Sequence, residues 1–253
     1  MSTKSIRQEV LLLNKTRLKN YARLIVRCGI HVEKGQQVLV YAGLDQPEFV
    51  KLVVEECYRA GAAQVTVNWD YQPLQKLHIR GRSLKSLSTV EKWEEERARH
   101  YAETLPCRIH LISEDPDGLK GVNLEKMAKG QQARYRILKP YQEQMEGKNQ
   151  WCIAAVPGVA WAKKVFPHLK KNQAVEALWE AILSTSRVTD DPIQAWADHN
   201  ADLERRCAYL NSLNIASLHY RSASGTDFHV GLIPETEFKG GGETSLTGHF
   251  RSE

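Results

Sequence analysis

Two short runs rich in β-formers, Val38-Leu39-Val40-Tyr41 and Gln64 to Trp69, flank a stretch of helical periodicity, and this spacing constrains the fold more than any other feature of the chain. The intervening stretch begins near Pro47, carries the apolar stripe Val50, Val53, Val54 and Cys57, and ends at Ala60-Gly61. Proline in a first turn and glycine just past a last turn are how a helix starts and stops. Strand, helix and strand within about thirty residues make a βαβ unit, whose crossover is right-handed and whose strands run parallel. A parallel sheet must be covered by helices on both faces, and Val38 to Tyr41 has the continuous apolar character of a strand buried on both sides.

The pattern recurs. A helical stretch from Val90 to Tyr101 leads to the apolar strand Cys107 to Ile112, and a long one from Leu124 to Met145 leads to Trp151 to Val156. Ahead of the first strand, Leu18, Tyr21, Leu24, Ile25 and Cys28 recur at helical spacing within Asn14 to Cys28, with Gly29 placed as a C-cap. Beyond Pro157-Gly158 the chain turns helical, from Ala174 to Leu183 and from Ile193 to Leu213, and Ile215 to Tyr220 and Thr226 to Leu232 read as strands of a hairpin turning at Ser222 to Gly225. The expected class is α/β, a three-layer α/β/α arrangement on a mainly parallel sheet, followed by a helical segment and a terminal β-hairpin. Residues 1–158 form the expected α/β domain of βαβ units. Residues 159–253 form the helical segment and hairpin, leading toward a metal-binding domain that this chain does not include.

Composition excludes several classes. Basic residues exceed acidic ones by only 5 charges and are interleaved with them, so no basic face or arm points to nucleic acid. A nucleic-acid partner would show affinity falling steeply with salt. The five cysteines, Cys28, Cys57, Cys107, Cys152 and Cys207, are odd in number and spread through apolar or helical stretches, with no C-x-x-C, and read as reduced, buried thiols of a cytoplasmic protein. Met1 to Val10 is basic without an apolar run before Val10 to Leu13, so neither a signal peptide nor a membrane span is expected.

No single stretch declares an enzyme. Gly240-Gly241-Gly242-Glu243 lacks the Lys-Ser/Thr pair and fixed glycine spacing of a phosphate loop, and reads as a flexible loop. His219, His229 and His249 lie near Asp227 and Glu243, a set with the right chemistry for a metal ion. The spacing argues against it: Asp227 and His229 share one strand face, but His219 falls on the other strand, and strand histidines are ordinary polar surface. Glu55-Glu56 and Glu94-Glu95-Glu96 read as solvated helix faces, and Asp190-Asp191 before Pro192 as a helix N-cap. Ser224-Gly225-Thr226 is a turn without a partnered base, and no G-x-S-x-G occurs. A parallel sheet also offers a ligand crevice at the carboxyl ends of its strands, where Asp45, Asp70 and Tyr71 would stand after the first two strands.

Taken in order, several segments resemble the metal-dependent aminopeptidases called aminopeptidase S, aminopeptidase T and PepS. They are Tyr21-Ala22-x-Leu24-Ile25-Val26 with Gly29 and Val32-x-x-Gly35-Gln36, then Trp151-x-Ile153-Ala154-Ala155-Val156-Pro157, Trp161-Ala162, Val165-Phe166-Pro167, Leu178-Trp179 and Ile182. The most specific is Gly225-Thr226-Asp227-Phe228-x-Val230-Gly231-Leu232, after Leu210-Asn211 and Leu218-x-Tyr220, where the family carries a G-T-D-L-x-V-G-L strand. It suggests a turn at Gly225 feeding a strand whose Phe228, Val230 and Leu232 pack inward.

The resemblance implies an exopeptidase that removes amino-terminal residues from peptides, working as a homodimer with an enclosed chamber and a pair of divalent ions, zinc, cobalt or manganese. Such ions polarise the scissile carbonyl and generate the nucleophile by lowering the pKa of a bridging water. The family's first glutamate ligand lies in a P-T/S-E-E segment after the glycine-rich loop, and the others follow it. This sequence ends at Arg251-Ser252-Glu253, where Glu253 has no preceding Pro and the motif is not complete. No catalytic residue or metal ligand of the family is therefore carried over. The expectation is a piece that is inactive alone and holds no metal, and the other reading is a complete α/β small-molecule-binding or regulatory module.

Overall fold

A computed structural model describes residues 15–251. Asn14, the run Val10 to Leu13 and the terminal Ser252 and Glu253 lie outside the described residues. Residues 15–24 form helix α1. There follow β1 (Gln37–Gly43), α2 (Pro47–Ala60), β2 (Gln64–Asp70), α3 (Gln72–Gly81), α4 (Leu84–Ser88), α5 (Lys92–Thr104), β3 (Cys107–Ile112), α6 (Leu124–Met145) and β4 (Trp151–Ala155). The remainder is α7 (Val159–Val165), α8 (Lys171–Thr185), α9 (Pro192–Ser212), a hairpin of β5 (Ser217–Arg221) and β6 (Asp227–Gly231), and a short ribbon of β7 (Glu243–Thr244) and β8 (Phe250–Arg251).

Strands β1 to β4 form one parallel sheet in the order β2-β1-β3-β4. Period-2 alternation sorts its residues. Val38, Val40 and Ala42 of β1 and Cys107, Ile109 and Leu111 of β3 face a buried cluster with Ile25 and Val26, and with Phe49, Val50, Val53 and Cys57 of α2. The other face carries Leu39, Tyr41, Arg108 and His110. There Tyr41 stacks on His110 with centroids 4.6 Å apart, and Arg97 and Tyr101 of α5 approach Tyr41. Both faces are thus covered at β1, where Leu39 is also buried, as its apolar run requires, while Ile112, Trp151 and Ile153 leave the second face open toward β4. The buried cluster continues past position 158, taking in Ala162 of α7 and Ala174, Leu178, Ile182 and Leu183 of α8.

Several expectations change in detail. Gly29 is not a left-handed cap: α1 runs on through a π-turn at Ile25–Gly29, and the positive φ, 41°, falls on His31. Gly29 is small because a Cβ there would lie 2.6 Å from Cys152 Sγ on β4. Glu56 is not on a solvated face. It is buried and receives a hydrogen bond from Arg27 Nε at 2.8 Å, which supplies the counter-charge that a buried carboxylate needs. Phe228 does not pack inward but stands 58% exposed, stacked on Tyr220, because the β5–β6 hairpin forms a sheet of its own. Asp191 does cap α9, accepting from the Gln194 amide ahead of Pro192.

Glu94 is likewise drawn out of solvent: Arg134 Nη2 of α6 lies 2.6 Å from its Oε1 and ties α5 to α6. The hydrogen bond from Arg134 is the main reason that the Glu94 carboxyl is held below its ordinary 4.5. Folding favours the charged form, so the pair's contribution is present above the ordinary value and is lost as pH falls through the lower folded value. Glu94→Gln is expected to lower the thermal midpoint at neutral pH and to flatten its decline below pH 4.5. Superimposable acid profiles for the two proteins would disprove this account.

All five cysteines are free. Cys57 and Cys107 are buried, and burial pushes both thiols up to about 12, so neither is a thiolate nucleophile at neutral pH. Cys28, Cys152 and Cys207 are half-buried rather than buried. Among the described residues no helix is long and apolar enough to cross a membrane.

Candidate functional site

In the strand order β2-β1-β3-β4 the chain leaves β1 toward one side and returns across it to β3, so the connections diverge between these two strands. Ligands of open α/β sheets bind outside the carboxyl ends of strands at such a point. A crevice of about 440 Å³ lies there, lined by Gly43, Asp45, Tyr71, Ser113, Asp115 and Gly158 among others. Of the residues expected at the strand ends, Asp45, Asp70 and Tyr71 all line it.

Its floor is a lock between the two strand ends. Ser113 Oγ donates to Asp45 Oδ1 at 2.8 Å, and Gln46 Nε2 donates to Asp45 Oδ2 at 3.0 Å and to the Pro157 carbonyl at 3.3 Å. This needs the absence of two side chains. A Cβ on Gly43 would sit 2.5 Å from Asp45 Oδ1, and one on Gly158 would sit 2.1 Å from the Ser113 carbonyl oxygen. Across the rim, Gln72 pairs with the Asp115 backbone at 3.0 and 3.1 Å, and Gln75 Nε2 donates to Asp70 at 2.9 Å. Neither histidine nor cysteine lines the crevice, which offers hydrogen bonds and charge to a solute, and its one hydroxyl–carboxylate pair, Ser113 on Asp45, is taken up in joining the two strand ends. Sequence reasoning placed Asp45 and Asp70 but missed Ser113, Gln72 and Gly158, whose roles depend on which strands become neighbours.

The second candidate is on the β5–β6 hairpin. His219 and His229 are register partners, with rings 3.6 Å apart, and Asp227 Oδ1 lies 2.7 Å from His219 Nε2 and 3.9 Å from His229 Nε2. Antiparallel pairing returns His219 to the face that carries Asp227 and His229, so the sequence spacing does not keep them apart. His249 and Glu243 do not join them. His249 Nδ1 lies 2.9 Å from Glu33 Oε1, and Glu243 is on β7. The glycine-rich loop is packed rather than free: Gly241, with φ 100°, is buried where a Cβ would lie 3.0 Å from the Asn200 carbonyl of α9.

The sequence profile described as thermophilic metalloprotease (M29) matches residues 14–251. This chain belongs to that family. Aminopeptidase AmpS of Bacillus subtilis is 34% identical over 235 residues, spanning 92% of this chain and 57% of that protein. Aminopeptidase T of Thermus thermophilus is 35% identical over 237 residues, again 92% of this chain and 58% of its own length. The solved wild-type AmpT from Thermus thermophilus superposes with a TM-score of 0.84 at 33% identity, over 94% of this chain and 58% of that one. The M29 chain described here therefore spans a little under three-fifths of the relatives it matches.

A metalloprotease family implies divalent metal, and were that metal a pair about 3.5–4 Å apart it would have to be clasped by shared carboxylates and imidazoles. Among the described residues one group of three such side chains gathers its donor atoms within 4.8 Å, and it is His219, Asp227 and His229. Three exposed donors on one hairpin do not supply the ligands of a pair. The described part of this M29 chain does not supply the ligand set that such a pair would need.

Proposed function

We propose that this chain is the amino-terminal part of a metal-dependent aminopeptidase that removes amino-terminal residues from peptides, and that the chain alone is inactive. The observation that carries this reading is the coverage. Relatives called aminopeptidases match 92% of this chain but give only 57% or 58% of their own length to it, while the described residues lack a ligand set for paired ions. On this reading the whole enzyme works in the cytoplasm as a homodimer with a pair of zinc, cobalt or manganese ions. The α/β sheet supplies its scaffold and the rest of the enzyme supplies the metal ligands.

A leucine chromogenic amide tests it. The purified chain with cobalt or zinc is expected to release no chromophore beyond the chelator control. A chimera in which the corresponding remainder of Thermus thermophilus aminopeptidase T follows residue 251 is expected to gain metal-dependent release. Turnover by the chain alone would refute the fragment reading.

One observation favours a second reading, an α/β small-molecule-binding or regulatory module without hydrolytic activity: the crevice between β1 and β3 is built, and neither histidine nor cysteine lines it. Under that reading a solute that protects the chain thermally would lose its effect in Asp45→Asn.

A further inference from the structure

We propose that the β5–β6 hairpin binds a single divalent transition-metal ion of the zinc, nickel or copper type, through His219, Asp227 and His229. The ligands are set by strand pairing. His219 stands directly across from His229 and Arg221 across from Asp227, so period-2 alternation puts all four side chains on one face, with Leu218, Tyr220, Phe228 and Val230 on the other.

The donor distances suit one small ion. With metal–nitrogen and metal–oxygen bonds of about 2.0–2.2 Å, tetrahedral geometry puts neighbouring donors roughly 3.3 Å apart. The observed separations of 2.7 and 3.9 Å from Asp227 Oδ1 to the two Nε2 atoms straddle that value. Closing onto an ion lengthens the first contact, shortens the second, and replaces the His219–Asp227 hydrogen bond by bonds to the metal. The rings stack 20° from parallel, so each must turn about its χ2 to aim its lone pair at a common point. That turn breaks the stacking of one ring on the other, at a surface where the two side chains are 36% and 67% exposed. Arg221 lies 3.4 Å from Asp227 Oδ2, which leaves Oδ1 facing the imidazoles.

Ligand type fixes the class of ion. Two imidazoles and one carboxylate favour zinc, nickel and copper over magnesium and calcium, which prefer cages of oxygen. Three protein donors leave at least one position for water. The site clamps the two strands together beside the hairpin turn, and so stiffens a two-stranded element that is marginal by itself.

The test uses tag-free, chelator-stripped chain titrated with Zn²⁺ by calorimetry and with Co²⁺ by visible absorption. Groups that only orient a ligand already change affinity by about 10–100-fold, so removing a direct donor should weaken binding by at least about tenfold. One equivalent bound by the parent chain, weakened to that extent in both His219→Ala and His229→Ala but kept in His249→Ala, is the expected result. Unchanged circular dichroism of the variants confirms that the fold is intact, and ring ¹⁵N shifts of the two histidines on Zn²⁺ addition report the site directly. No stoichiometric binding by the parent, or full binding retained in both variants, overturns the proposal.

Discussion

Ile109→Ala lowers the unfolding free energy by about 2–5 kcal/mol, the range for truncating a buried isoleucine, and Ile153→Ala changes it by less than about 1 kcal/mol. The two residues sit on neighbouring strands of one sheet, yet Ile109 is fully buried and Ile153 is 59% exposed. Ile109 lies between Val40 of β1 and Cys152 of β4 in register and faces the cluster built from α1, α2 and α8. Removing its methyl and methylene groups loses their transfer free energy and leaves a cavity that three strands and a helix layer cannot collapse to fill. Ile153 points to the opposite face, at the β4 edge, where Ile112 and Trp151 are also exposed, at 39% and 41%. For a domain of this size each kcal/mol moves the midpoint by about 2–4 °C, so thermal denaturation separates the two variants readily. Comparable losses in both would mean that the β4 edge is covered and that the sheet's two faces are wrongly assigned.

The contrast shows what a sequence of this kind makes legible. Periodicity belongs to each element by itself, so β1, β2, β3, α2 and α6 stand close to where their patterns put them. Cys107–Ile112 and Leu124–Met145 match the expected bounds residue for residue, although Pro140 lies inside the longer helix. Burial is a property of pairs of elements, and the pattern of one element does not fix it. The apolar alternation of Phe228 and Val230 looks like an inward face, but inward requires a partner, and the hairpin's sheet contains only β5 and β6. Glu56 and Glu94 look like solvated charge because their arginines, Arg27 and Arg134, are far away in sequence. The short helices α3, α4 and α7, with 10, 5 and 7 residues, carry too little pattern to separate from a loop.

The candidate sites divide along the same line. Strand order fixes where a crevice must be, and Asp45, Asp70 and Tyr71 follow from where β1 and β2 end. The lock between Asp45 and Ser113 does not, because it needs β3 beside β1. The hairpin cluster is a sharper case. Linear spacing sets His219 apart from Asp227 and His229, and it is the register, His219 against His229, that brings the donors together.

Gly158→Ala is expected to destabilise the protein by about 1–3 kcal/mol, the cost of forcing extra atoms into a packed site, and so to lower the midpoint by about 2–12 °C. The backbone gives no reason for this loss, since Gly158 has φ −70°, which alanine adopts freely. Space alone decides it. The new methyl would stand 2.1 Å from the Ser113 carbonyl oxygen and 3.2 Å from Asp45 Oδ2, and the first contact is with main chain, which cannot swing aside. Relief requires the end of β3 or the start of α7 to shift, and either movement pulls Ser113 from Asp45 and opens the floor of the crevice. Gly81 and Gly225 separate this effect from the general consequences of replacing glycine. Neither would meet an atom within 4 Å, but Gly225 has φ 97°. Gly225→Ala should therefore cost about 1–2 kcal/mol of left-handed strain, whereas Gly81→Ala, at the end of α3, should be neutral or stabilising by up to about 1 kcal/mol. A Gly158→Ala protein as stable as Gly81→Ala would show that β3 and α7 are not in contact behind Asp45, and the crevice would lose its structural basis.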